Sequence, residues 1–85
     1  MNTIVWATKA VRQFRKLPTA DQRAIGDKVS GLAAWPDVLG VKHLVGRDDY
    51  RLRVGRFRVI FSVYPNGEVT IIRIDEVKKR DEHTY

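Results

Sequence analysis

The chain has 85 residues, no cysteine, and 16 lysines and arginines against 10 aspartates and glutamates, a net charge of +6. That length fits one domain, 1–85, with one modest core, and excludes a second domain or a large cofactor-binding fold. The missing cysteines exclude a disulfide framework, a thiolate zinc site and a cysteine nucleophile, and suit a reducing cytoplasm; the basic excess points to a polyanionic partner.

In chain order, residues 3–7 are β-branched and aromatic and read as a short strand. Thr8 is positioned to cap the next segment, where Val11, Phe14 and Leu17 recur every three residues and Lys9, Arg12 and Lys16 share another side. That pattern predicts an amphipathic helix with a basic stripe, ended by Pro18. Thr19 and Gln22 make a T-x-x-Q capping box, and Ile25, Val29, Leu32 and Ala33 mark the buried stripe of a second helix reaching about Ala34. Residues 36–49 read as a loop whose Leu39, Val41 and Leu44 tuck onto the core. Trp6 and Trp35 are expected at the core or its rim, and His43 has no assigned role.

Three alternating runs follow, 50–54, 57–64 and 69–74, separated by Gly55-Arg56 and Asn66-Gly67. Both links suit two-residue hairpins. The expectation is an α+β fold, with the N-terminal strand and helical hairpin packed on a twisted antiparallel sheet of three to four strands. Counting across the turns pairs Val54 with Phe57, Arg53 with Arg58, Phe61 with Ile72, Ile60 with Arg73 and Arg58 with Asp75. One face then carries Tyr50, Leu52, Val54, Phe57, Val59, Phe61, Val63, Ile72 and Ile74, and the helices are its available cover. The other carries Arg51, Arg53, Arg58 and Arg73, with Arg56 at the turn.

Like charges directly opposite each other destabilise a strand pair, and residues 51–58 hold four arginines and no acid. Guanidinium groups match phosphate or carboxylate in a bidentate way and keep their charge, so the face reads as an anion-binding platform. A solvated basic face relieved by Asp75 would leave the same pattern. Arginine cannot accept a proton at neutral pH; candidates for that role are His83 and Tyr85, near Lys78 and Lys79. No metal-ligand cluster, glycine-rich phosphate loop or serine–histidine elbow is evident, and no cofactor is expected. No apolar run is long enough to span a membrane, and the first residues lack a signal-peptide pattern.

The segment Asp49-Tyr-Arg-Leu-Arg-Val-Gly-Arg-Phe-Arg-Val-Ile-Phe-Ser-Val and the tail Val77-Lys-Lys-Arg-Asp-Glu-His-Thr-Tyr85 resemble the RelE/ParE superfamily of toxins from bacterial toxin–antitoxin pairs, the RelE-like branch above all. The N-terminal strand, the helix pair with Leu17-Pro18, and Lys42-His43-Leu44 resemble it too. The resemblance implies a microbial-ribonuclease-like fold and a metal-independent endoribonuclease that cuts mRNA in the ribosomal A site by 2′-hydroxyl attack, so inhibiting translation. By position it implies catalytic roles for Arg51, Arg53, Arg58, Lys79 or Arg80, His83 and Tyr85; Arg56 and Arg73 of the basic face and Lys78 of the tail are expected to bind RNA. RelE itself has lysines where this chain has Arg51 and Arg53. Implied partners are a cognate antitoxin with an acidic toxin-binding segment, the 70S ribosome with its mRNA, and operator DNA only through the antitoxin complex; the location implied is cytoplasmic. Two alternatives stay open: a ParE-like gyrase inhibitor acting by binding, and a non-catalytic basic module for RNA or protein.

Overall fold

The structure, a computed structural model, describes residues 2–79. Strand β1 (Asn2–Trp6) leads into helix α1 (Thr8–Arg15), then α2 (Thr19–Ser30) and a 3₁₀ turn over Gly31–Ala34. Strands β2 (Val41–His43), β3 (Asp49–Val54), β4 (Phe57–Asn66) and β5 (Val69–Lys79) complete the order.

The sheet has five strands in the order β1-β5-β4-β3-β2. It is mixed rather than purely antiparallel, because β1 lies parallel to β5 while the other neighbours are antiparallel. The fifth strand, β2, lies in the stretch read as loop. Three residues between Gly40 and Gly46 are too few to show a period, and pairing with β3 decides their conformation. Leu39, expected on the core, is 93% exposed, whereas Val41 packs against the core.

The helices cover one face. Ala10, Ile25, Val29 and Leu32 pack on Leu52, Val54, Phe57, Val59, Phe61, Ile72, Ile74 and Val77, with Trp6, Phe14 and Trp35 against this cluster. Every residue assigned to the buried face from strand alternation lies in this cluster or packs against it. Ala33, expected in the buried stripe, is exposed in the 3₁₀ turn.

The helix ends differ from expectation. Ala7 precedes α1 and Pro18 precedes α2, neither helix has a side-chain cap, and the Thr19–Gln22 box does not form. Gln22 Nε2 instead donates to the carbonyls of Leu17 (2.9 Å) and Arg15 (3.3 Å), satisfying the end of α1. This use satisfies two acceptors that a helix terminus leaves open. β1 reaches only Ile74 of β5, and α1 covers the edge beyond it: Gln13 Oε1 accepts the Val77 N–H at 2.7 Å. The buried ladder group is thereby satisfied.

The second hairpin turns at Gly67-Glu68, one residue later than expected, with Asn66 facing Val69. Gly67 sits at φ 64°, in the left-handed region. This slide moves each cross-strand pair by two residues, so Phe61 faces Ile74 and Ser62 faces Arg73. A two-residue shift preserves the faces. A β-bulge between Ile60 and Phe61 then adds an unpaired residue, Asp75, on β5. Arg58 consequently faces Lys78 rather than Asp75, and Ile60 faces Glu76 rather than Arg73.

A cationic sheet face as candidate functional site

The face of the sheet away from the helices is divided by register into rows. One row runs Lys42, Arg51, Ile60, Glu76 across β2 to β5. The next runs Arg53, Arg58, Lys78. Arg53 and Arg58 face each other as expected, placing two like charges in direct opposition.

Among the described residues, Arg51, Arg53 and Arg58 form no ion pair and no side-chain hydrogen bond. The Nε atoms of Arg51 and Arg58 are sealed from solvent with no acceptor in the described part of the chain. Ile60 is 6% exposed and gives the cluster an apolar floor. Where water is partly excluded, a charge-assisted bond to an anion strengthens. The arrangement is suited to hold a phosphodiester or carboxylate.

The remaining expected residues divide. Lys78 joins the cluster opposite Arg58; Lys79 faces Phe57 and so belongs, by register, to the helix-side face. Arg56 is exposed at the turn and lines a hollow with Asp21 of α2. Arg73 shares the open face but lies in the row of Asp49 and Ser62, beyond Ile60. Its Nε donates to Asp75 Oδ1 at 2.6 Å, and its guanidinium sits 5.3 Å from the centre of the Tyr64 ring. Ser62 Oγ donates to the other Asp75 oxygen. The Asp75 carboxylate raises the Arg73 pKa. Asp75, expected to relieve Arg58, is therefore committed to Arg73 and Ser62. Arg80, His83 and Tyr85 lie outside the described residues.

Two participants escaped the sequence reading. Lys42 enters the site only because β2 pairs with β3. Glu76 enters because the bulge turns it onto this face. Its Oε1 lies 2.6 Å from Lys9 Nζ and 3.4 Å from Lys78 Nζ. The bond from Lys9, with Lys78 adding to it, holds the carboxyl below the usual glutamate range despite its burial. No group of three or more metal-ligating side chains occurs among the described residues, and no described helix is long and apolar enough to cross a membrane.

No family model matches the chain, and no curated protein matches it in sequence. Solved structures do. The archaeal RelE–RelB complex from Pyrococcus horikoshii matches with a TM-score of 0.75 and 29% identity, over 93% of this chain and 94% of that one. The fold is similar to that of RelE/ParE superfamily toxins. The isolated E. coli RelE toxin matches with a TM-score of 0.74 at 17% identity, over 95% of this chain and 86% of that one. A YoeB/ParE toxin from Agrobacterium tumefaciens gives 0.75 at 15% identity, over 92% and 98%. These two likenesses concern the fold alone.

Proposed function

We propose that this protein is the toxin of a toxin–antitoxin pair and acts as a ribosome-dependent mRNA endonuclease. The supporting observation is the cluster of Arg51, Arg53 and Arg58 on the open sheet face, joined by Lys42 and Lys78 and without acidic relief for the three arginines among the described residues. In this reading the ribosome presents the mRNA in the A site. Arg51 and Arg53 bind the backbone, and Arg58, at the centre of its row, stabilises the phosphorane formed when the 2′-hydroxyl attacks the adjacent phosphate. Charge preorganised at a developing dianion is the largest available catalytic effect. His83, Tyr85, Lys79 and Arg80 are assigned supporting roles in the tail by resemblance. Arg56 and Arg73 extend the RNA contact, Arg73 from its fixed place over Tyr64.

The P. horikoshii neighbour is a complex with RelB. By analogy, a cognate antitoxin with an acidic toxin-binding segment neutralises this protein, operator DNA being contacted only through that complex. The cytoplasm, where ribosomes and mRNA meet, is the corresponding location.

Induced expression in bacteria tests the reading. Primer extension on abundant messages is expected to show new 5′ ends within coding regions, at positions set by the reading frame, while plasmid supercoiling stays unchanged. Loss of supercoiling with intact messages would favour a gyrase inhibitor, and harmless expression would favour a non-catalytic binding module.

A further inference from the structure

The cationic half of the open face holds many proton donors. Arginine and protonated lysine have no acceptor atom to offer. The carboxylate present in this half, among the described residues, is Glu76. Its position is the product of a specific irregularity. Strict alternation from Ile72 and Ile74 would send residue 76 to the helix-side face; the bulge at Asp75 shifts the phase, so Val77 enters the core and Glu76 emerges beside Ile60. Bulges recur beside active sites, where they re-aim a side chain.

The contacts leave one oxygen of Glu76 available. Both ammonium groups, of Lys9 and of Lys78, lie against Oε1. The Glu76 side chain keeps 17% of its surface exposed, so the carboxylate stays reachable from solvent while the ammonium groups engage Oε1. Arg58 faces Lys78 while Ile60 faces Glu76, so Arg58 and Glu76 are diagonal neighbours, about 7–8 Å apart at the backbone. Side chains of this length can meet a single nucleotide from two sides.

Resting on the reading of this face as an RNA-cleaving site, we infer that Glu76 is the general base of the reaction. Oε2 takes the proton of the 2′-hydroxyl, and the freed electron pair on the 2′-oxygen forms the bond to phosphorus. The bond from phosphorus to the 5′-oxygen then breaks with its pair on that oxygen, which takes a proton from water. Products are a 2′,3′-cyclic phosphate and a 5′-hydroxyl, and Glu76 returns its proton to solvent. Lys9 and Lys78 keep the carboxyl ionised at neutral pH, and so in the accepting form. A purely mechanical role, latching α1 to β5 through Lys9, is the competing account.

Single-turnover cleavage of mRNA on programmed 70S ribosomes separates the accounts. Glu76→Gln keeps the shape and can still accept a bond from Lys9. It is expected to slow cleavage by roughly 10²–10⁴-fold while ribosome binding is retained. Its residual rate should climb with hydroxide concentration, whereas the wild-type rate stays flat through the neutral range. Glu76→Asp, which retains a carboxylate, should keep more activity than Glu76→Gln, and Lys9→Met, which breaks the latch, should lose far less. Equal losses in Lys9→Met and Glu76→Gln without a new pH slope, or a Glu76→Gln protein as fast as wild type, would overturn the assignment. A wild-type protein that leaves the message uncut would overturn the proposed function itself, and the base with it.

Discussion

In the proposed reading, Arg53 sets stability against function at the level of one side chain. It opposes Arg58 directly and is exposed, with no ion pair among the described residues. Arg53→Ala therefore removes a like-charge opposition worth some tenths of a kcal/mol. Thermal melting is expected to show a variant at least as stable as wild type. Growth arrest on induction is expected to weaken in the same variant. A drop in melting temperature with toxicity retained would place Arg53 among structural residues instead. Arg73 is the contrasting case: bound by Asp75 and set beside Tyr64, it is an arginine with structural partners on the same face. Sequence alternation places both on one face but cannot tell them apart, because their difference arises from the hairpin slide and the bulge.

Among the elements, hairpins were legible, helix ends were not, and the helix faces only in part: Ala10 rather than Val11 is the buried residue of α1, and Ala33 is exposed. Alternation fixed which residues of 50–74 face the helices even though the β4–β5 register lay two residues away, since a shift of two leaves the faces unchanged. Asn66-Gly67 signalled the turn correctly in place but not in phase. Gly67 takes the first central position at φ 64°, where an L side chain is strained. With open space around its added Cβ, Gly67→Ala should cost about 1 kcal/mol from backbone conformation alone, measurable by urea denaturation; an unchanged midpoint would contradict this. β2 was illegible for lack of length, and the long β5 was read only to Ile74 because the bulge breaks its period. Gln13 completes that strand from α1. Gln13→Ala leaves the Val77 N–H without its acceptor and should destabilise the chain by about 1–3 kcal/mol. If hydrogen exchange at Val77 is no faster in that variant, the edge is protected by something else.

At the scale of the whole molecule, charge sets the expected salt dependence of the proposed RNA binding and the response of stability to acid. A chain of net charge +6 that holds nucleic acid through several phosphate contacts should lose affinity linearly in the logarithm of salt concentration. Neutralising Arg51 should reduce that slope by about one contact; an unchanged slope would remove Arg51 from the interface. For pH, the sign follows from Glu76, whose folded pKa is lowered chiefly by the bond from Lys9. Stability from this pair is fully present above the ordinary glutamate value of about 4.3. It is lost as pH falls through the lowered folded value. Melting curves of wild type and Glu76→Gln should therefore converge on the acid side and separate near neutrality. Parallel curves throughout would show that the pair contributes nothing.

In the proposed reaction, fixed guanidinium charge on the open sheet face promotes scission of the RNA backbone. The most direct test is the single-turnover rate at which Arg58→Ala cuts mRNA on purified ribosomes, compared with wild type at equal ribosome occupancy. A loss of about 10²–10³-fold with an unchanged melting temperature is expected. A variant that cuts at the wild-type rate would contradict the account.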